Sequence, residues 1–363
     1  MAVSLVSTGV TFPDNSTQTT AATGFGFKNR IINGAMVIDQ RNAGASMTAN
    51  GSTYAVDRFI FSTNLVSKAT GQRSTTAPTG FINSLLVTSS AATSFASGDY
   101  FSITQRIEGF NCADLAWGTA SASAITISFW VRSSLTGTFG GAINNSANNR
   151  SYPFSYTISS ANTWEQKSVT IAGDTTGTWL TDNGTGLQVR FALGMGSTYS
   201  GTAGAWVAGD IESVTGAVNV LGTNGATFYI TGVQLEKGST ATSFDYRPIG
   251  TELNLAQRYY QRWNTGTGGL ATWAAGPVAT STTGTRLGAT LSTPMRSSPT
   301  FNYSNARLFD GSAAPAVTSA VAVCTATNMC VDFTASGGGL TTGRIVILIE
   351  NGSTGYVDFS SEL

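Results

Sequence analysis

Apolar and polar side chains alternate along several stretches of this chain, as they do along half-buried β-strands. In the stretch 125–132 the odd-numbered positions are apolar, so Ser128, Trp130 and Arg132 share the opposite face. The same alternation turns Arg190 away from the apolar side of its own stretch. We therefore expect strands with one face in a core and the other face free for solvent or a partner.

The stretch 226–236 has the same alternation with one interruption. Tyr229 is predicted to face away from the core. Gly232 then breaks the pattern, as a β-bulge or a close backbone approach does. Beyond the bulge, Gln234 is predicted to join the face that carries Tyr229.

Strands of this kind follow one another through the middle of the chain, and loops rich in Gly, Ser, Thr and Asn separate them. No long amphipathic helix interrupts them. The predicted strands cover 100–107, 124–132, 152–158, 165–171, 186–194 and 226–236. This pattern predicts an all-β protein whose largest unit, 28–249, is a jelly-roll β-sandwich.

Three further units flank that sandwich. Residues 1–27 read as two short strands that need partners to be stable, so we expect an N-terminal attachment and oligomerisation segment. Residues 250–263 have helical spacing with Thr251 as N-cap, which predicts a short helical linker. Residues 264–363 return to β patterns, which predict a C-terminal β-sandwich. Its apolar run 344–349 should be buried on both faces.

Charge and histidine content exclude several classes of function. The 363 residues carry 19 Lys and Arg against 19 Asp and Glu, so no net charge draws the chain to nucleic acid or to an anionic membrane. No apolar run approaches the roughly 20 residues of a membrane span. Histidine is absent, which removes His-dependent triads and His-bearing zinc sites. The sequence therefore predicts neither nucleic-acid binding nor membrane insertion.

The cysteine content and the N-terminal sequence indicate in which compartment the protein is made. The three cysteines cannot form a complete disulfide framework, although Cys324 and Cys330 could face each other across a hairpin. The alternative is two small buried apolar residues. The first ten residues lack the features of a secretory signal, so we expect synthesis and folding in a cytoplasm.

The N-terminal sequence has a familiar form. The run 9–21, GVTFPDNSTQTTA, resembles a short module that recurs in phage tail-fibre and tail-tip proteins. The resemblance implies that this segment attaches the protein to the virion, with Phe12, Pro13, Asp14 and Gln18 as its attachment residues.

The middle of the chain resembles a carbohydrate-binding-module type of jelly roll found in phage structural proteins. The resemblance rests on an opening that runs from NGAM (33–36) through QR (40–41) to DRF (57–59), and on the closing run 228–248, FYITGVQLEKGSTATSFDYRP. A homotrimer in the virion is implied, bound to other virion proteins. No cofactor is expected. A structural calcium is the one metal that the resemblance allows, with Asp57, Glu236 or Asp245 as ligands.

Aromatic rings, arginines and amides on outward strand faces and loops form a candidate sugar platform. Rings stack on the apolar face of a pyranose, and planar donors bind its hydroxyls. These ligand-binding candidates are Trp130, Arg132, Arg190, Tyr229, Gln234, Tyr199 and Trp206. The alternative is that the strand faces lie under loops or against a sister chain, and that the loop rings fold back on the sandwich.

Catalysis is the less favoured hypothesis. Sugar hydrolysis needs two carboxylates beside a groove, and Asp174, Asp182, Asp210 and Glu212 fall in predicted loops. No local motif distinguishes them, so we expect no enzyme activity and assign no catalytic residue.

The sequence thus favours a phage virion protein, a tail-fibre or receptor-binding subunit that recognises host surface polysaccharide. Two alternatives stay open. One is a purely structural decoration or adaptor protein of the head, neck or tail, and the other is a polysaccharide depolymerase.

Overall fold

The computed structural model describes residues 27–263, 279–349 and 355–363 with their side chains. The backbone alone is described for residues 4–6, 9–11, 17–18, 264, 272–276 and 350.

The described N-terminal backbone forms a small antiparallel sheet. Its strands are β1 (Ser4–Val6), β2 (Gly9–Thr11) and β3 (Thr17–Gln18), in that spatial order. Val10 pairs with Gln18. Three of the attachment residues, Phe12, Pro13 and Asp14, lie outside the described residues.

The large unit is a sandwich of two antiparallel sheets. Its strands are β4 (Met47–Thr48), β5 (Thr53–Val56), β6 (Phe59–Thr63), β7 (Ala69–Ser74), β8 (Ser84–Ser89), β9 (Tyr100–Glu108), β10 (Ile125–Ser133), β11 (Gly137–Asn145), β12 (Arg150–Ile158), β13 (Glu165–Ile171), β14 (Thr185–Met195), β15 (Ser200–Gly201), β16 (Val207–Ala208), β17 (Ser213–Val214) and β18 (Thr227–Lys237). Short 3₁₀ turns lie at Gly109–Asn111, Ala113–Leu115, Ser197–Tyr199 and Val220–Gly222.

One sheet has six strands in the order β13-β10-β18-β8-β7-β4, and the other has seven in the order β16-β12-β11-β14-β9-β6-β5. The remaining two strands, β15 and β17, pair with each other in a small parallel sheet. The chain crosses repeatedly from one sheet to the other, as it does in a jelly roll. The core lies between them, where Phe129 of β10 meets Phe191 of β14 edge to face at 4.9 Å. The all-β sandwich expected from the sequence is confirmed.

The predicted bulge lies in β18. Gly232 has a φ of +59°, and the pairing of β18 with β10 shifts register between Ser128 and Trp130. A Cβ at position 232 would lie 2.6 Å from the ring of Phe81 and 3.1 Å from that of Trp130. Only glycine combines this conformation with such close neighbours.

The span expected to be a helical linker is only partly helical. Helix α1 covers Ile249–Gln257, and β19 (Tyr260–Asn264) follows at once. The N-cap is Pro248, so the assignment of this position to Thr251 was wrong. The helix ends early because Tyr260 and its neighbours pair with the C-terminal sheet.

The C-terminal unit also consists of two sheets. Its further strands are β20 (Thr272–Gly276), β21 (Gly284–Thr290), β22 (Thr300–Ser304), β23 (Ala306–Phe309), β24 (Val317–Ala322), β25 (Asn328–Ala335), β26 (Val346–Glu350) and β27 (Tyr356–Ser360). The sheet orders are β19-β27-β22 and β23-β26-β20-β21-β25-β24.

The sequence had suggested that the run 344–349 is buried along its whole length, but the structure buries only part of it. Arg344 and Ile345 are exposed because they belong to the turn that precedes β26, whereas Val346 and Leu348 are fully buried. The three cysteines carry no disulfide: Cys112 is buried and Cys324 and Cys330 are half-buried.

Buried ion pairs join the two large units. Glu362 contacts Arg41 at 3.0 Å and also pairs with Arg58. Glu108 of β9 accepts hydrogen bonds from Arg258 and from Tyr259, which hold the pKa of its carboxyl below the usual value although burial opposes them. The residues of the opening motif thus hold the C-terminal unit in place. No helix among the described residues is long and apolar enough to cross a bilayer.

Candidate functional site

The outer face of the six-stranded sheet carries a row of side chains in register. Arg132 of β10 pairs with Tyr229 of β18, Tyr229 with Leu86 of β8, and Leu86 with Gln72 of β7. In the next row, Trp130 lies opposite Thr231. Trp130, Arg132, Tyr229, Leu86 and Gln72 are all half-exposed. The predicted outward direction of Trp130, Arg132 and Tyr229 is confirmed, and the pairing of β10 with β18 puts all three on one face.

Four half-exposed aromatic residues lie along this side of the sheet, and together we call them the aromatic strip: Trp164, Tyr229, Trp130 and Phe81. Trp164 contacts Tyr229 edge to face at 6.0 Å, and the Arg132 guanidinium lies 5.0 Å from the centre of the Tyr229 ring. The rings of Trp130 and Phe81 flank Gly232. The strip offers flat apolar surfaces beside a guanidinium with N–H donors.

A cavity of about 330 Å³ lies at the Phe81 end of the strip. We call it the end pocket. Its walls are mostly apolar and come from the turn before β8, the closing motif and the start of α1: Gly80, Phe81, Ile82, Phe244, Tyr246 and Ile249. Phe81, Phe244 and Tyr246 contact one another with ring centres 4.8 to 5.6 Å apart. The alternation of Phe244 and Tyr246 around Asp245 indicated that these two rings share one side of the chain. Phe81 is far away in sequence, so no local pattern linked it to them.

Gln234 lies on the same sheet face as Tyr229, but it is fully buried. It accepts from the backbone N–H of Asp245 at 2.8 Å and donates to Glu236 at 3.0 Å. Thr242 also donates to Glu236, at 2.8 Å. Gln234 therefore holds the segment 238–246 over this end of the sheet and is not open to a ligand.

Arg190 lies on the other sheet. It is in β14 on the outer face of the seven-stranded sheet, where it is buried and pairs with the equally buried Glu212. Asn148 and Gln188 accept further hydrogen bonds from it, at 3.0 and 3.1 Å. The structure thus separates Arg190 from Trp130, Arg132 and Tyr229.

Two acidic residues, Asp210 and Glu212, lie in the segment 196–222, which covers this second face. Desolvation, together with the nearby charge of Glu212, raises the pKa of Asp210 to about 6. Asn144 donates to Asp210 at 3.3 Å. Because Glu212 is engaged with Arg190, this carboxylate pair is built into a buried polar layer.

The two loop candidates are separated as well. Tyr199 is half-exposed and meets Tyr100 edge to face at 5.5 Å. Trp206 folds back on the sandwich, where its ring lies 5.3 Å from those of Trp117 and Trp179. The indole N–H of Trp206 donates to the Ala172 carbonyl at 2.8 Å. Neither residue belongs to the aromatic strip.

The carboxylates considered for calcium do not converge. Asp57 lies between Gln40 and Arg41, and Glu236 accepts from Gln234 and Thr242. Asp245 accepts from two backbone N–H groups. Among the described residues, no group of three or more Asp, Glu, Cys or His side chains is placed to hold a metal. These three carboxylates therefore form no common calcium site, a calcium held by one of them with backbone carbonyls stays a prediction, and the proposals below use no metal.

The other two acidic residues weighed for catalysis have structural partners. Asp174 accepts two hydrogen bonds of 2.8 Å from Arg150, which help to lower its pKa although burial opposes them. Asp182 accepts from the backbone N–H of Gly184 at 2.8 Å.

No family model matches the chain, and no curated protein matches it. Among solved structures, it is similar to the enzymatically active domain of bacteriophage CBA120 tailspike protein 4, with a TM-score of 0.30 and 11% identity over 58% of this chain. The chain spans only 21% of that tailspike domain.

Two further similarities are to non-viral proteins. A putative sugar-binding protein from Bacteroides thetaiotaomicron matches with a TM-score of 0.33 and 12% identity over 58% of this chain and 100% of its own. The family 11 carbohydrate-binding module from Clostridium thermocellum, in complex with a β-1,3-1,4-mixed-linked tetrasaccharide, matches with a TM-score of 0.28 and 12% identity over 55% of this chain and 100% of its own. All of these similarities are distant.

Proposed function

We propose that this protein binds glycan through the aromatic strip and serves as a tail-fibre or receptor-binding subunit of a phage virion. The observation that carries the first part is the open outer face of the six-stranded sheet. There Trp130, Tyr229 and Trp164 are half-exposed beside Arg132.

The chemistry of the strip suits a sugar better than other ligands. Aromatic rings bind the apolar face of a pyranose, and a guanidinium donates hydrogen bonds to its hydroxyls. Trp130 and Tyr229 lie in paired strands, so their side chains lose little conformational entropy on binding. The zero formal charge of the chain gives no comparable attraction to nucleic acid.

The virion role is supported by the N-terminal segment. Its three short strands would be marginally stable alone, which favours assembly with other copies or other virion proteins. Attachment through several copies would turn millimolar affinity at each site into firm adhesion. A homotrimer, bound to the particle through residues 1–27, is the proposed arrangement.

Glycan binding is tested with purified protein on an array of bacterial surface polysaccharides and by adsorption to host cells. Trp130→Ala should lower the affinity about fivefold to tenfold, because a stacked ring contributes about 1 to 1.4 kcal/mol. Arg132→Ala should lower it by a smaller factor. Phe110→Ala is the matched control, because Phe110 is 62% exposed and lies outside the strip.

If the folded wild-type protein binds no polysaccharide on such an array, the proposal is overturned and a structural adaptor is favoured. Release of reducing ends from a polysaccharide would favour a depolymerase instead. For the assembly, light scattering should give three times the chain mass. A monodisperse monomer whose N-terminal segment resists protease would contradict the trimer.

A further inference from the structure

The end pocket has the size and lining of a small-ligand site. Its volume of about 330 Å³ is at the lower end of the range for ligand pockets, which is enough for one sugar ring or a substituent. Ile82, Tyr246 and Ile249 at its mouth are 73%, 58% and 62% exposed. Such a cluster of exposed apolar side chains is uncommon unless something binds it.

The charged groups beneath the pocket are mostly satisfied within the protein. Glu252 pairs with Arg247 at 3.0 Å, and Arg247 also donates to the backbone carbonyls of Ile31 and Asn29. Because these charges are already paired within the protein, they do not favour a charged ligand.

Asp245 is different. The backbone N–H groups of Lys28 and Asn29 both donate to its Oδ2, at 2.7 and 3.2 Å. Its other carboxylate oxygen, Oδ1, has no donor within the described part of the chain. A carboxylate oxygen accepts hydrogen bonds, so a ligand in this pocket would best offer one N–H or O–H donor next to an apolar group.

The pocket is continuous with the aromatic strip through Phe81, which belongs to both. A ligand stacked on Trp130 would meet Phe81 just across Gly232 and then reach Phe244 and Tyr246. A chain of sugars that lies along the strip would thus place one residue at the pocket.

We infer that the end pocket takes an N-acetylated amino sugar of the bound glycan, with the acetyl methyl group against Phe81 and Phe244 and the amide N–H donated to Asp245 Oδ1. This inference rests on the proposed glycan binding by the strip. A free amine would pair with Asp245, but it brings no methyl group for Phe81 and Phe244 and loses hydration beside an apolar wall. A plain hydroxyl fits less well because it brings no methyl group.

The test compares three soluble tetrasaccharides on the full-length protein by calorimetry and by saturation-transfer NMR: chitotetraose, its fully deacetylated form, and cellotetraose. Chitotetraose should bind roughly fourfold more tightly than either of the others, since all three sugars can donate a hydrogen bond and the buried methyl group supplies about that factor. Its acetyl methyl protons should receive the strongest saturation.

Two pocket variants assign this preference to the site. Ile82→Ala alters the exposed rim and Phe244→Leu alters the wall, and both should reduce the preference for chitotetraose to less than about twofold. Trp130→Ala should weaken chitotetraose and cellotetraose by similar factors. Phe110→Ala should change neither.

The outcomes separate the two proposals. Equal binding of all three sugars, tighter binding of the deacetylated form, or a preference that both pocket variants leave intact would overturn the pocket inference while the strip remains a glycan site. Absence of binding by every tetrasaccharide would overturn the pocket inference, and silence across the polysaccharide array as well would overturn both.

Discussion

The outer faces of the two sheets carry similar residues in different surroundings. On the seven-stranded sheet the segment 196–222 lies over Arg190, whose side chain is only 5% exposed and pairs with Glu212. On the six-stranded sheet Arg132 remains half-exposed between Tyr229 and the carbonyl oxygen of Asn162, to which it donates at 2.9 Å. Arg190 is therefore a structural ion, whereas Arg132 is available to donate hydrogen bonds to a ligand.

This difference shows which property turns the outer face of a sheet into a binding site. A covered face must satisfy every polar group internally, and its arginine then has nothing left for a ligand. An open face leaves rings and donors to water, which a sugar can displace. Removing the arginine should therefore cost stability on the covered face and binding on the open one.

The largest expected effect is that of Arg190→Ala on folding. It leaves Glu212 buried without its partner, which should lower the free energy of unfolding by about 3–5 kcal/mol. Arg132→Ala should cost less than about 0.5 kcal/mol, because it is a half-exposed surface position. Urea unfolding of both variants measures the contrast. Equal losses would mean that the two faces do not differ as described.

The second effect compares two tryptophans. Trp206→Ala removes a ring that contacts Trp117, Trp179 and Tyr152, and should cost about 2–3 kcal/mol. Trp164→Ala, at the open end of the aromatic strip, should cost less than about 1 kcal/mol and instead weaken glycan binding. Thermal unfolding and glycan-binding assays on both variants measure these two effects. If Trp206→Ala weakens binding without loss of stability, the assignment of Trp206 to a structural role is wrong.

The smallest effect concerns pH. The folded protein raises the pKa of Asp210 to about 6, so this carboxyl holds its proton more tightly in the folded than in the unfolded chain. Its ionisation therefore lowers stability as the pH rises from about 4 to about 6. Asp210→Asn should be more stable than wild type at pH 7, by roughly 1 kcal/mol or less after solvent screening, and no more stable at pH 3.5. Unfolding curves at the two pH values check this, and equal gains at both would contradict it.

Glycine-rich strands mark where the sequence was misleading. The strand β11, GTFGGAINN, has the composition of a loop and was not predicted, although it lies inside the seven-stranded sheet. A Cβ at Gly141 would lie 2.4 Å from the carbonyl oxygen of Arg190 and 2.5 Å from the ring of Phe154. Glycine is needed there because the backbones and a ring come so close, a reason that local composition does not reveal.

The seven predicted site residues divide in a similar way. Trp130, Arg132 and Tyr229 are brought together because their strands are neighbours, whereas alternation had predicted only that each points away from the core. Arg190 and Gln234 also face outward from their sheets but lie beneath other segments, and Trp206 folds back on the sandwich. Tyr199 packs against Tyr100, away from the strip. As ligand contacts all seven remain predictions, and the structure favours the first three.

The sequence by itself determined the all-β class, the positions of six long strands of the sandwich, the bulge at Gly232 and the direction of the side chains in the stretches that alternate. These follow from a period of two residues and from local turn chemistry, which neighbours along the chain are enough to specify. Only the tertiary structure decided which outer face stays open and that Phe81 meets Phe244 and Tyr246. The first depends on where the segment 196–222 packs, and the second brings together segments more than 100 residues apart.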